Sequence, residues 1–99
     1  MACKVNLKVL PYKDIEGREV KDKEQQTVTL SDLIIDQLLH PSNVNTDNKY
    51  RRFKLADKLS NAKDEVDLTL EDISLIKEAT GESQLPMVIG RIYEVVEKL

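Results

Sequence analysis

The chain has 99 residues, of which 40% are hydrophobic and 33% are charged, and its formal net charge is −3. This length fits one domain, residues 1–99, with a mostly aliphatic core, because Trp is absent and Phe occurs once. The single cysteine excludes an intrachain disulfide. The acidic balance argues against bulk attraction to nucleic acid, and no apolar run approaches the roughly 20 residues of a membrane span. The first residues also lack the apolar segment of a signal peptide, so we expect a cytoplasmic protein without membrane contact.

Residues 1–30 predict a β-hairpin region. Apolar and polar side chains alternate over residues 3–9, the period of a half-buried strand. Residues 12–24 then hold four positive and five negative side chains around Gly17, which suits a charged hairpin tip. The β-branched alternation of residues 27–30 predicts a second, antiparallel strand.

Helical periodicity follows in the rest of the chain. We expect a helix over residues 31–40, capped by Thr29 or Ser31, and then a polar linker over residues 41–47. Residues 47–99 predict a three-helix region. The fold class is therefore α+β, with a small antiparallel sheet packed on three or four helices.

The three-helix region has recognisable boundaries. Its first helix spans residues 47–61 and is followed by the acidic connector DEVDL, residues 64–68. Thr69 and Asp72 have the spacing of a capping box, so they predict the start of the next helix. The last helix has Pro86 in its first turn, and its predicted cap is Ser83 or Gln84.

A basic stripe, Arg51, Lys54 and Lys58, follows one face of the 47–61 helix at positions i, i+3 and i+7. Such a stripe is typical of a solvated helix face. It also suits an acidic protein partner or pairing with carboxylates of the same chain, for which the acidic connector is the predicted source. A third interpretation is binding of nucleic acid or nucleotide phosphate, although only Tyr50 lies near enough to act as a stacking platform.

Arg52 falls on the apolar face of the same helix, away from the basic stripe. One interpretation is that its stem is buried while its guanidinium reaches solvent at the helix edge. The other is that Arg52 lies at a subunit interface and forks onto a carboxylate.

The last helix carries an apolar arc that is wider than one packing neighbour needs. The arc consists of Val88, Ile89, Ile92, Tyr93, Val95, Val96 and Leu99. Burial under several elements of the same chain explains it, and so does packing of one flank against a second copy. On the second hypothesis the candidate protein interface is Arg52, Tyr93, Val96 and Leu99.

The residues of common catalytic and metal sites are sparse. His40 is the only histidine and fits a cap at a helix end, which leaves no pair of ligands for a single-chain zinc site. The acidic run near the connector lacks the central Gly and the register of a calcium loop. No phosphate-binding or metalloprotease motif occurs. We therefore expect a protein that is not an enzyme and has no cofactor or metal, with a site formed between two chains as the remaining alternative.

The order of segments resembles that of small proteins of about 100 residues encoded by tailed bacteriophages and prophages. The resemblance rests on TVTLSDLIIDQLL, KYRRFKLADKL, DLTLEDISLIKEA and LPMVIGRIYEVVEKL, and it covers residues 5–99. It implies a phage or host-cytoplasm setting and transfers no activity to any residue.

These observations favour a non-enzymatic interaction protein, a phage or prophage accessory factor that binds itself and a host or phage protein. The expected assembly is a homo-oligomer, most simply a dimer. The alternative is a regulator that binds nucleic acid or nucleotide phosphate through the basic stripe.

Overall fold

The computed structural model describes residues 3–83 and 85–99. Their secondary-structure elements are β1 (Cys3–Val5), α1 (Leu30–Leu39), α2 (Thr46–Asn61), β2 (Val66–Leu68), α3 (Leu70–Gly81) and α4 (Pro86–Val96). A single 3-10 turn, Leu7–Val9, follows β1. The predicted α+β class is confirmed, because a two-stranded antiparallel sheet is combined with four helices.

The sheet joins two segments that are far apart in sequence. Val5 pairs with Val66 and Lys4 with Asp67 in an antiparallel register. The prediction of a mere connector at residues 64–68 is therefore wrong. Val66 and Leu68 are buried, and Asp67 between them in the sequence is exposed. This is the alternation of a short, half-buried strand within the acidic run.

Residues 10–29 have antiparallel character as isolated bridges and not as a continuous strand. The bridges are Pro11–Thr29, Lys13–Glu19 and Lys21–Thr27. An aspartate organises each of the two turns, since Asp14 and Asp22 accept hydrogen bonds from backbone N–H groups two and four residues later. Gly17 supplies the positive φ of 83° in the first turn.

Side-chain caps fix the starts of the first three helices. Of the two predicted caps of α1, Thr29 is correct, and it forms a capping box with Asp32. The predicted capping box of Thr69 and Asp72 at α3 is confirmed. Asn45 caps α2 by accepting a hydrogen bond from a backbone N–H.

The start of α4 differs from the prediction. Leu85 occupies the N-cap position and makes no side-chain cap. Ser83 accepts a hydrogen bond from the Leu85 backbone N–H at 3.1 Å, so it stabilises the turn before the helix. The other predicted cap, Gln84, lies outside the described residues. Pro86 is in the first turn, as expected.

Replacing Thr69 with Ala is expected to lower the free energy of unfolding by about 1 kcal/mol, because the Asp72 backbone N–H then loses its acceptor. Equilibrium urea unfolding measures the change. Thr69→Ser is the matched control and should retain most of the stability, since its hydroxyl can accept the same bond. Equal losses in the two variants would contradict a capping role.

The core is aliphatic, as predicted, and every helix contributes to it. Helix α1 packs against α2, α3 and α4, so it lies at the centre of the helical layer. The buried apolar residues of the core are Leu7, Ile34, Leu38, Leu55, Ala56, Leu59, Val66, Leu68, Ile76, Ala79, Val88, Ile92 and Val96. Both buried residues of β2 belong to this set, so the sheet is joined to the helices through one core.

Candidate functional site

A buried arginine links α2 to the end of α3. The Arg52 side chain is only 2% exposed. One terminal nitrogen of its guanidinium donates to Glu82 at 3.0 Å, and the other donates to Glu78 at 2.9 Å and to Glu82 at 3.0 Å. Both carboxylates are partly exposed. Arg52 therefore makes a forked, charge-assisted contact within the chain.

The cluster perturbs the ionisation of its members in opposite directions. The hydrogen bond to Glu82 raises the pKa of Arg52, and this effect exceeds the opposing effect of burial. The same hydrogen bond lowers the pKa of the Glu82 carboxyl, with smaller contributions from Ser42 and His40. The charged forms of both partners are therefore stabilised by folding.

This geometry corrects the first interpretation of Arg52, because its head is buried together with its stem. The fork onto carboxylates predicted by the second interpretation is present, but α3 and the residue after it supply those carboxylates. Helical spacing correctly places Arg52 on the inner face of α2. The partners were missed because they lie 26 and 30 residues further along the chain.

Two members of the basic stripe are paired within the chain. Arg51 lies 3.1 Å from an Asp47 carboxylate oxygen and 3.8 Å from one of Glu71. Lys58 lies 2.9 Å from Asp72. Burial opposes ionisation of Asp72, but the hydrogen bonds from Lys58 and from the capping backbone outweigh it, so the pKa of Asp72 is lowered.

The third member, Lys54, places its ammonium 5.4 Å from the centroid of the Tyr50 ring. All three members of the basic stripe line one wall of a groove between α2 and α3, and Glu71 and Asp72 line the opposite wall. Pairing within the chain was one of the predicted uses of the basic stripe. Its acidic partners come from the starts of α2 and α3, and not from the connector.

The apolar arc of α4 is mostly covered by the chain itself. Val96 is 2% exposed and belongs to the core. The Tyr93 hydroxyl donates to the backbone carbonyl of Lys77 at 2.9 Å, and the Lys77 ammonium lies 5.6 Å from the ring centroid. Leu99 is partly buried against the core. This placement favours burial under the same chain, and an interface through Tyr93 and Leu99 stays a prediction.

An exposed apolar surface lies where sequence reasoning did not place one, across α1 and α2. Leu39 is 55% exposed and Phe53 is 56% exposed. Together with Ile35 and Ala56 they line a cleft of about 200 Å³, rimmed by Asp57 and Ser60. We call Ile35, Leu39, Phe53 and Ala56 the α1–α2 face. One feature of the sequence could have pointed to this face. Phe53 is the only Phe of the chain, and it falls at the edge of the buried arc of α2.

No grouping of His, Cys, Asp and Glu side chains within residues 3–83 and 85–99 is arranged to hold a metal ion. In the same part of the chain, none of the helices is both long enough and apolar enough to cross a bilayer. Comparison of the chain with protein-family models, with curated proteins and with solved structures finds no match.

Proposed function

We propose that the protein is an interaction module that forms a homodimer through the α1–α2 face. The observation that carries the proposal is the pair of large apolar side chains, Leu39 and Phe53, each more than half exposed beside a shallow cleft. Aromatic side chains with an adjoining cleft are typical of the anchors of protein interfaces.

The charges of the two helices favour a second copy as the partner. The sequence of α1 contains two aspartates, Asp32 and Asp36, and no Lys or Arg. Of the five Lys and Arg residues of α2, Lys49 and Lys54 form no ion pair with a carboxylate among the described residues, so they are the cations of this helix that a partner can use. A two-fold axis over the cleft places the acidic α1 of one copy against the basic α2 of its partner, twice in one dimer.

The same symmetry gives each Phe53 a place to bind. In an isologous interface the same patch is used by both subunits, so the Phe53 ring of one copy can enter the cleft of the other. The cleft has Ile35 and Ala56 in its lining, which suits an aromatic ring better than a charged side chain. A dimer of this kind uses no residue that the core already buries except Ala56.

Replacing Phe53 with Glu is expected to convert the dimer to a monomer and to weaken association by about 30-fold or more, which corresponds to roughly 2 kcal/mol at a central anchor. Sedimentation velocity over a concentration series measures the change. Leu70→Glu is the matched control, because Leu70 is an even more exposed apolar residue, 67% against 56% for Phe53, and lies outside the α1–α2 face. Circular dichroism checks that both variants fold.

A wild-type protein that stays monomeric at several hundred micromolar would contradict the proposal. A dimer that survives Phe53→Glu but dissociates on Tyr93→Glu would instead support the interface predicted on α4. The nucleic-acid alternative has less support, because Arg51 and Lys58 already pair with carboxylates. A host or phage protein as a further partner, and the phage origin itself, stay predictions.

A further inference from the structure

A cavity of about 290 Å³ lies at the corner where α1 leads into α2. We call it the corner pocket. Its lining consists of Leu38, Leu39, His40, Pro41, Ser42, Val44, Lys49 and Arg52. The chain between the helices also lines a neighbouring hollow that reaches Glu82. The corner pocket is thus formed by the end of α1 and the loop that follows it, and two basic residues of α2 close one side.

We infer that the corner pocket binds a small carboxylate with an apolar body. The first reason is the guanidinium of Arg52. Its terminal nitrogens are bound to Glu78 and Glu82, but its buried Nε–H has no acceptor among the residues that the structure describes. A buried donor without an acceptor is costly, and Arg52 is part of the pocket lining.

The second reason is the composition of the rest of the lining. Lys49 is exposed at the pocket and forms no ion pair with any carboxylate in the described part of the chain. An ammonium and an Nε–H are both donors only, so their common ligand is an acceptor. A carboxylate satisfies both with charge-assisted hydrogen bonds.

The other walls restrict what can be attached to that carboxylate. Leu38, Leu39, Pro41 and Val44 present hydrocarbon to the pocket, and its volume is near the lower limit for small-molecule sites. A hydrocarbon body of about four to six carbons fits these walls. A phosphate fits less well, because its second negative charge lies close to Glu82 and its oxygens meet apolar walls.

Two kinds of ligand carry a carboxylate on an apolar body. One is a free short-chain carboxylate, and the other is the C-terminal carboxylate of a peptide that ends in an apolar residue. Leu39 lines both the corner pocket and the α1–α2 face, but the two donors that carry the inference, Lys49 and Arg52, are outside that face, so the inference does not rest on the homodimer proposed above. It assigns Lys49 and Arg52 to ligand binding, a role distinct from that of the basic stripe.

The test is a titration followed by ¹H–¹⁵N correlation spectra that include the arginine Nε–H signals. Hexanoate is expected to shift the Arg52 Nε–H signal and the backbone signals of residues 42–44 in a saturable manner. Hexan-1-ol, which has the same chain length without the charge, and inorganic phosphate should not do so. Acetyl-Gly-Leu with a free C-terminus, compared with its amide, distinguishes a peptide source from a free carboxylate.

Lys49→Gln is expected to weaken hexanoate binding about tenfold, whereas Lys63→Gln, also an exposed lysine substitution, leaves it unchanged. Lys49 is exposed, so this variant folds even if an Arg52 variant does not. Saturable shifts with the free-acid peptide alone would assign the corner pocket to a chain terminus. No saturable shift with either carboxylate, an equal response to hexan-1-ol, or equal affinities of the two lysine variants would overturn the inference.

Discussion

Replacing Arg52 with Met is expected to lower the free energy of unfolding by about 2–3 kcal/mol. Loss of one member of a buried ion pair costs roughly 3–5 kcal/mol when the remaining charge is also buried. Here the remaining carboxylates, Glu78 and Glu82, are partly exposed and can be hydrated, so the cost is smaller. Met retains much of the buried stem, which separates the lost hydrogen bonds from lost packing.

Urea unfolding at neutral pH measures this change, and Arg51→Met is its matched control. Arg51 is the neighbouring residue, has the same side chain and pairs with two carboxylates, but it is more than half exposed. Exposed ion pairs contribute about 0–1 kcal/mol, so this variant should lose little stability. Similar losses for the two variants would contradict the role given to the buried fork.

The pH dependence of unfolding, compared between wild type and Arg52→Met, gives an independent check of the role of the Arg52 fork. Arg52 lowers the folded-state pKa of Glu82 below its ordinary value of 4.5. The stabilisation is therefore fully present above pH 4.5 and is lost as the pH falls through the folded-state pKa. The stability gap between wild type and Arg52→Met should narrow below pH 4.5. The lowered pKa values of Asp14 and Asp72 have other causes, so their effects cancel in this difference.

Local signals in the sequence predicted the helices well. The two residues of the α3 capping box, Thr69 and Asp72, are three positions apart, and both of their hydrogen bonds are made within one turn. Strand β2 could not be predicted in this way. Its three residues occur in an acidic run, and their partner β1 lies some sixty residues earlier, so the pairing depends on how α1 and α2 fold between them.

In the candidate site, too, the features set within one helix could be predicted, and the contacts between helices could not. Helical spacing placed Arg52 on the inner face of α2 and the basic stripe on another. Which carboxylates they contact depends on the packing of α3 against α2, which no spacing within α2 reveals. The exposure of Phe53 is likewise a property of the neighbouring helices. An aromatic residue at the edge of a helical arc is buried or exposed according to what lies beside it.

Burial of the α4 arc in the core of its own chain is tested by Ile92→Ala, which is expected to lower the free energy of unfolding by about 2–5 kcal/mol. Ile92 is fully buried, so the variant loses the transfer free energy of the removed carbons and leaves a cavity. The mass of the proposed homodimer should not change while the protein remains folded, since Ile92 is buried in the core of its own chain. Urea unfolding and sedimentation velocity measure the two quantities.

Gly90 offers a control of the opposite sign on the same helix. A Cβ added there meets nothing within 4 Å, and Gly in a helix interior is less favourable than Ala. Gly90→Ala is therefore expected to raise the free energy of unfolding by about 0.5–1 kcal/mol. Dissociation of the proposed dimer by Ile92→Ala at unchanged stability would show that α4 is an interface between copies, and the assignment of its apolar arc to the core would be wrong.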